Sequence, residues 1–436
     1  MPIPPLQLNM IIVLMIFILT YALLLVFSSK RAFIALGAAV IFFILGLTGF
    51  IDLTPLEVFQ GIEWNVLLMI FGTMGLVSLF IESKMPSLLA DKIIAKSPNA
   101  MWATIALSVF AGLISAFIDN VATVLMIAPI AITVAKKLNK SPVPMVIAIA
   151  VASNLEGAAT LVGDTTSILM GQHLGMNFMD FFFYNGKVSL FFINQLGLMV
   201  ATIILFIIFR KDKEKIASTE VTHVSDYLPT VLMISLVLLL IVASFIPNTP
   251  ELINGYICVG LMVIGVAYKT IRTKKLSSLL DTLKEVDYQT LLLLTSIFVI
   301  VSALINVGLI TWIGEVFVAI SGGNVFVVYT ILVWFSVIIS AFIDNIPYVA
   351  MMLGVVSTIG NKIGVDTTVL YLGLLCGATL GGNLTPIGAS ANVTAIGLLR
   401  KQGFEVKTWD FMRIGLPYTL AAITMAYVFV WLIWHP

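Results

Sequence analysis

Charged side chains are scarce in this sequence. Only 10% of its 436 residues are Asp, Glu, Lys or Arg, while 60% are hydrophobic. A soluble domain carries about 25% charged residues, so the composition excludes an ordinary water-exposed surface. The net charge of +1 also gives no basic surface for nucleic acid.

Cysteine and histidine are also rare. The two cysteines, Cys258 and Cys376, both lie in apolar runs, which indicates packing residues rather than a disulfide or a metal site. The sequence has no G-x-x-x-x-G-K-[ST] motif, which argues against a self-contained ATP-driven pump. We expect no cofactor. No basic residue precedes the first apolar run, so we predict a permanent first span rather than a cleaved signal.

Long apolar runs dominate instead. A helix that crosses a membrane needs about 20 apolar residues. Runs of this kind occur near residues 10–28, 32–51, 64–82, 145–170, 187–209, 228–246, 253–269, 288–308, 368–398 and 413–434. Two further stretches, 99–137 and 325–360, are interrupted in the middle by polar residues, and we predict that each is a re-entrant hairpin. The predicted fold class is an all-α polytopic membrane protein.

Basic residues sort to one side of these spans. Of the 23 lysines and arginines, only Lys187 and Lys362 fall on the opposite side from the rest. Because cytoplasmic loops are enriched in Lys and Arg, the basic loops are predicted to be cytoplasmic. Both termini are then predicted to lie outside.

The chain also contains an internal repeat. Residues 114–120 and 339–345 both read I-S-A-F-I-D-N. Residues 1–209 and 228–436 each carry five predicted spans and one hairpin in the same order, and residues 210–227 form a predicted cytoplasmic linker. Because five is an odd number, the second half begins on the other side of the membrane. This predicts an inverted-topology repeat, an architecture typical of secondary transporters.

Polar residues cluster at four places where a predicted hairpin turns or a predicted span breaks. The broken spans are 145–170 and 368–398, both rich in glycine and small hydroxyl residues. Non-helical backbone at membrane depth is tolerated where it is buried in protein or lines a wet cavity. The candidate substrate- or ion-binding residues are Ser115, Asp119, Asn120, Thr123, Asn154, Glu156, Thr160, Gly163, Asp164, Thr165, Thr166, Ser340, Asp344, Asn345, Thr379, Asn383, Thr385, Gly388, Ser390 and Asn392.

Four carboxylates stand out among these candidates: Asp119, Glu156, Asp164 and Asp344. Ionisable groups inside a membrane are costly and mark functional sites by default. We expect no Lys or Arg at comparable depth, so the carboxylates indicate bound protons or cations. Glu156 and Asp164 have no acidic counterpart in the second half, which predicts that the first half holds the main cation or proton site.

Two structural explanations compete with this interpretation. The Asp-Asn pairs could act only as caps of tight turns. The glycines of the broken spans could serve only close helix packing.

These clusters resemble a known family. The motifs S-A-F-I-D-N at 115–120 and 340–345, A-T-L-V-G-D at 159–164 and G-G-N-L-T-P-I-G-A-S-A-N-V at 381–393 resemble the arsenite permease, NhaD-type sodium/proton antiporter and P-protein group of the ion transporter superfamily. One loop differs: the group commonly reads G-D-P-P-N where this chain has Gly163 to Ser167 as G-D-T-T-S. The resemblance covers both halves.

The resemblance implies a homodimer with a transport region that moves like an elevator. It implies a coupling ion, H⁺ or Na⁺, with Na⁺ expected at Asp119, Asn120, Asp164, Asp344 and Asn345. The expected location is the cytoplasmic membrane of a prokaryote.

The predicted function is cation-coupled secondary transport of a small inorganic ion, either arsenite/antimonite or sodium in exchange for protons. A sodium-coupled dicarboxylate or citrate symporter is the second candidate. A passive channel stays open as a third. An intramembrane aspartyl protease is the enzymatic alternative, and the absence of a G-x-G-D motif argues against it.

Overall fold

The computed structural model describes residues 7–27, 30–216, 222–274 and 277–436, and these residues are almost entirely helical. The first series of helices is α1 (Leu8–Val26), α2 (Arg31–Leu47), α3 (Pro55–Gln60), α4 (Trp64–Glu82), α5 (Met85–Lys96), α6 (Ala100–Ser115), α7 (Asn120–Lys137), α8 (Val143–Gly157), α9 (Thr165–Leu174) and α10 (Leu190–Phe209). The second series is α11 (Leu228–Ser244), α12 (Ile253–Thr273), α13 (Ser277–Lys284), α14 (Tyr288–Asn306), α15 (Leu309–Ser321), α16 (Val325–Ser340), α17 (Asn345–Ile363), α18 (Thr368–Gly381), α19 (Ser390–Lys401) and α20 (Thr408–Trp434). A short β-hairpin pairs two antiparallel strands of two residues each, β1 (Phe183–Tyr184) and β2 (Lys187–Val188).

Many of these helices suit a membrane. Within the described ranges, eight are long and apolar enough to cross one: α1, α4, α7, α10, α12, α14, α17 and α20. Five shorter apolar helices accompany them. Large apolar side chains such as Ile18 and Leu19 are more than half exposed, as expected for a surface that lipid covers. The prediction of an all-α polytopic membrane protein is confirmed.

The two series pack in a matched way. Helix α4 packs against α12, and α2 packs against α14. Helix α7 contacts α19, and α17 contacts α9. The contact between α4 and α12 thus has its counterpart in the contact between α14 and α2, and the contact between α7 and α19 has its counterpart in that between α17 and α9. This is the pattern that a twofold pseudo-symmetric pair of repeats produces, and the inverted orientation of the repeats stays our proposal.

The arms of both hairpin stretches begin at capping residues in equivalent positions. Asn99 accepts a hydrogen bond from the backbone N–H of Trp102, and Asn324 accepts one from Val327. The returning arms begin at Asp119 and Asp344, whose carboxylates also accept backbone N–H groups. An N-cap of this kind stabilises a helix by about 1 kcal/mol, so the repeated Asn and Asp residues define where each arm starts.

The segment between the two series is attached to the first hairpin stretch. The backbone N–H groups of Ala100 and Met101 donate to the carbonyl oxygens of Glu214 and Asp212. Lys140 forms ion pairs with both acidic side chains, and its hydrogen bond lowers the pKa of Glu214. Residues 217–221 of the predicted linker lie outside the described residues.

We expect the contact between α4 and α12 to depend on Gly72. A Cβ atom at this position would lie 2.4 Å from the carbonyl carbon of Cys258 and 2.5 Å from the backbone nitrogen of Val259. Gly72→Ala should therefore destabilise the protein by about 1–3 kcal/mol, because backbone atoms must shift. Thermal unfolding in detergent measures the effect.

Gly260→Ala, on the partner helix, is the matched control. Nothing lies within 4 Å of a Cβ atom at Gly260, and alanine has the higher helix propensity. The control should unfold at the wild-type temperature or slightly above it. If Gly72→Ala and Gly260→Ala unfold at the same temperature, the close approach of α4 to α12 at Gly72 is not required for stability.

Candidate transport site

We call the turns between α6 and α7 and between α16 and α17 the two tips, and the gaps between α8 and α9 and between α18 and α19 the two breaks of the interrupted helices. A cavity of about 1390 Å³ lies where the tips meet the breaks. The first tip contributes Asp119 and Asn120, and the second contributes Asp344 and Asn345. The breaks contribute Asp164, Thr165 and Ser390. The opposite wall comes from α4 and from the first turns of α14, with Thr73, Ser78, Gln289 and Thr290 as its polar residues.

Asp164 lines this cavity and links the two halves. Its Oδ2 accepts hydrogen bonds from Thr166 Oγ1 at 3.0 Å and from Asn345 Nδ2 at 3.2 Å. The carboxylate also lies close enough to Asp119 and Asp344 to interact electrostatically with both. Three aspartates from three separate elements therefore share one cavity.

The two tip aspartates serve as caps and also contribute charge to the cavity. Oδ2 of Asp119 accepts the N–H groups of Val121 at 3.0 Å and Ala122 at 3.1 Å. Asp344 accepts the N–H of Ile346 through Oδ1 at 3.2 Å and the hydroxyl of Ser390 through Oδ2 at 3.0 Å. Because each aspartate caps a helix and also lines the cavity, a capping role does not exclude a role in ion binding.

The expectation that no basic side chain reaches the carboxylates was wrong. Arg31 forms an ion pair with Asp344, with side chains that are 27% and 11% exposed. Arg31 is the first residue of α2, and the packing of α2 against α14 brings it beside the second tip. The sequence assigns Arg31 to a loop, and only tertiary packing shows that this helix end lies next to a residue 313 positions away.

A chain of buried amides lies behind the cavity wall. Asn120 Nδ2 donates to Asn154 Oδ1 at 2.7 Å, and Asn154 Nδ2 donates to Asn383 Oδ1 at 3.0 Å. Asn383 Nδ2 donates to the carbonyl oxygen of Val151 at 2.9 Å. These bonds join the first tip to both interrupted spans.

Threonine and glycine attach each break to its hairpin tip. Thr160 donates to the carbonyl oxygen of Ala116, and Thr385 donates to that of Ala341. A Cβ atom at Gly163 would lie 2.6 Å from the oxygen of Gly157, and one at Gly388 would lie 2.6 Å from that of Gly382. Both breaks therefore require glycine for the same close approach of carbonyl groups.

Most of the remaining predicted residues do not line the cavity. They lie behind it among the bonds that hold the tips and the breaks together, and we call them the supporting layer. They are Ser115, Thr123, Asn154, Thr160, Gly163, Thr166, Ser340, Thr379, Asn383, Thr385, Gly388 and Asn392. Typical bonds in the layer join Ser153 to Ser115 at 3.0 Å and Ser340 to the carbonyl oxygen of Ala378 at 2.5 Å. The hydroxyl groups of Thr166 and Thr379 lie 3.2 Å apart, which connects the two interrupted spans.

Glu156 does not line the cavity, contrary to the prediction. Asn154 and Glu156 are two residues apart on α8. Because two residues correspond to a rotation of about 200° in an α-helix, the two side chains point to nearly opposite sides of α8. Asn154 therefore faces Asn383, whereas Glu156 faces α10 and accepts a hydrogen bond from Gln195 at 2.5 Å.

Charged residues that were not among the predicted ones also line the cavity or lie beside Asp119. Asp287 caps α14 and bonds to Thr290, and it interacts electrostatically with Asp119. Arg31, Glu82 and Lys269 line the same cavity. Asp287, Arg31 and Glu82 lie at the ends of helices, which was the available signal. In the described part of the chain, no three acidic, His or Cys residues are close enough to form a metal-ligand group.

The fold and this cavity define a multi-pass membrane transporter. A family model described as "Citrate transporter" (CitMHS) matches residues 12–370. The chain belongs to this family, whose members are secondary transporters and not enzymes. This finding removes the protease alternative.

The relatives include bacterial membrane proteins and the mammalian P protein. The chain is 29% identical to a "46 kDa membrane protein" of Mycobacterium leprae over 97% of this chain and 98% of the relative. It is 31% identical to an uncharacterized transporter of Mycobacterium tuberculosis over 85% of this chain and 86% of the relative. The human P protein is 25% identical over 86% of this chain and 54% of its own length. The P-protein part of the predicted resemblance is thus supported.

Two solved structures share the fold. The YdaH transporter of Alcanivorax borkumensis superposes with a TM-score of 0.59 at 14% identity, over 98% of both chains. The MtrF efflux pump of Neisseria gonorrhoeae gives 0.54 at 16% identity, over 90% of this chain and 84% of the other. At such low identity the similarity concerns the fold alone.

Replacing Asp119 should separate its capping role from its charge. Asparagine caps a helix as well as aspartate does, so Asp119→Asn should leave the unfolding temperature close to that of the wild type. Asp119→Ala removes the cap and should cost about 1 kcal/mol. Thermal unfolding in detergent compares the two variants. A similar loss of stability in both would mean that the fold needs the charge itself.

Proposed function

We propose that this protein is a cation-coupled secondary transporter that binds its solute in the cavity between the two hairpin tips. The observation that carries the proposal is the meeting of Asp119, Asp164 and Asp344 in one cavity. Arg31 neutralises at most one of them. The excess negative charge favours the binding of a cation or a proton.

The coupling ion is H⁺ or Na⁺ in this proposal. The predicted Na⁺ ligands Asp119, Asn120, Asp164, Asp344 and Asn345 all line the cavity, which supports the assignment. Amide oxygens of the two asparagines would complete the oxygen-rich environment that a hard cation prefers. The remaining candidate residues hold the two tips and the two breaks in place.

Glu82, Lys269 and Glu285 line one part of the cavity. They adjoin the basic loops that follow α4 and α12, so we place the opening of the cavity on that side. With those loops in the cytoplasm, both termini lie outside and the structure is open to the cytoplasm. Alternating access then requires the tips and breaks to move against the wall formed by α4 and α14, which fits an elevator-type motion. We propose a homodimer on the family resemblance.

Two substrate classes are candidates. A small inorganic ion, transported as in the arsenite permease or Na⁺/H⁺ antiporter group, comes first because the cavity carries more negative than positive charge. A carboxylate such as citrate comes second. Arg31 supports it, because a guanidinium binds carboxylates bidentately, and the family description names citrate. Such an anion would have to enter together with a cation that screens the aspartates.

Flux measurements in proteoliposomes test the proposed function. Sodium, lithium, arsenite, antimonite, succinate and citrate are supplied one at a time, with a pH gradient or a sodium gradient. We expect wild-type protein to move one class of solute uphill, which also separates a transporter from a passive channel. The Asp119→Asn/Asp344→Asn and Asp164→Asn variants should lose that uphill movement, because they remove charge from the cavity.

Asp366→Asn is the matched control. Asp366 caps the start of α18 through Thr368 and does not line the cavity, so it should transport normally. Unchanged coupling in both cavity variants would refute the proposal.

Arg31→Gln should distinguish the two substrate classes. Charge-assisted hydrogen bonds contribute about 1.5–3 kcal/mol, so a carboxylate substrate should bind roughly 10–100-fold more weakly. An inorganic cation should bind as well or better, because Asp344 loses its ion-pair partner. The concentration dependence of uptake measures the change. Lys30→Gln, the same charge change at the exposed neighbouring residue, is the control.

A further inference from the structure

A second acidic site lies outside the cavity. Glu156 is completely buried near the end of α8, where this helix packs against α6, α10 and α20. A Cβ atom at Gly112 of α6 would lie 3.1 Å from Glu156 Cγ, so the glycine provides the space that the glutamate side chain occupies.

The carboxyl group of Glu156 is only half satisfied. Its Oε2 accepts a hydrogen bond from Gln195 Nε2 at 2.5 Å, whereas its Oε1 has no hydrogen-bond partner among the described residues. The hydroxyl of Tyr418 on α20 is also buried without a partner there. Tyr418 is close enough to Glu156 for the two groups to interact electrostatically.

No charged group compensates Glu156 in the described part of the chain. Its neighbours on the packed helices include Gly112 on α6, Gln195 on α10 and Tyr418 on α20. Tyr418 is the titratable group among them. Burying an unpaired carboxylate costs several kcal/mol even after the protein relaxes. A carboxylic acid avoids this cost, and its O–H can donate to a neighbouring oxygen.

We propose that Glu156 is a proton-binding site, separate from the substrate cavity, that takes up and releases one proton in each transport cycle. In the inward-open state the O–H bond of the acid is intact. When α8 moves relative to α10 and α20, the O–H bond breaks and water accepts the proton as hydronium. The carboxylate keeps its hydrogen bond from the Gln195 amide.

The position of Glu156 explains how this proton is coupled to the solute. The last turn of α8 carries Glu156 and leads directly into the break at residues 158–164, which ends at Asp164 in the cavity. A movement of this turn therefore alters the proton site and the cavity together. The coupling role rests on the proposed function, whereas the presence of a bound proton does not.

Infrared spectroscopy of the purified full chain tests the proton directly. The wild type should show the C=O stretching band of a buried carboxylic acid at neutral pH. Protons bound at the cavity aspartates would absorb in the same region, so the Glu156 component is identified by difference. Glu156→Gln, a neutral variant of nearly the same shape, should lose one component of the band, and Asp164→Asn should keep that component. In Gln195→Leu the carboxyl group of Glu156 loses the hydrogen bond that Gln195 donates, so its C=O band should move to higher frequency.

A Glu156→Gln spectrum that has lost no component of the band, or a Glu156 component that stays at the same frequency in Gln195→Leu, would overturn the assignment. These measurements decide the site even if none of the tested solutes is transported. Failure of the proposed function and failure of this inference are thus distinguishable.

Transport measurements test the coupling. If one proton moves in each cycle, the accumulation ratio changes about tenfold for each unit of pH gradient. Glu156→Gln should exchange solute across the membrane but lose this dependence on the pH gradient, and Asp180→Asn, a change outside α8 and the cavity, should keep it. An unchanged pH dependence in Glu156→Gln would refute the coupling role.

Discussion

Backbone that leaves the helical conformation at membrane depth must find hydrogen-bond partners inside the protein, because lipid offers none. Four interruptions of helical structure meet here: the turns between α6 and α7 and between α16 and α17, and the breaks between α8 and α9 and between α18 and α19. The tips are capped by Asp119 and Asp344, and the breaks are bonded to the tips through Thr160 and Thr385. Each interruption thus supplies partners for another, and the meeting point becomes a polar cavity.

The charge of the cavity follows from the same constraint. Asp119 and Asp344 lie in the cavity because they cap helices whose first turns face it. Asp164 has no such capping bond and instead bonds to Asn345 of the other half. Arg31 balances one of these charges from the end of α2. The result is a cavity that can hold a cation and, beside the arginine, the negative end of a solute.

Much of the fold could be predicted from local sequence. The predicted span 64–82 coincides with α4, and the hairpin turns fall at the repeated Asp-Asn pairs. Asp119, Asn120, Asp164, Thr165, Asp344, Asn345 and Ser390 were chosen from the sequence, and all of them line the cavity. This was possible because apolar length and capping residues act over a few positions. Glu156 was misplaced because its face of α8 depends on which neighbours pack there.

By itself the sequence determined the helical, membrane-embedded character, the positions of the interruptions and the acidic residues at them, since each depends on hydropathy or local hydrogen bonding. Tertiary structure alone decided that Arg31 reaches Asp344, that Asn154 and Asn383 join the two interrupted spans, and that Glu156 lies outside the cavity. The physical reason is that these contacts join residues far apart along the chain. Helix packing, and not local preference, sets the distance and the face at which such residues meet.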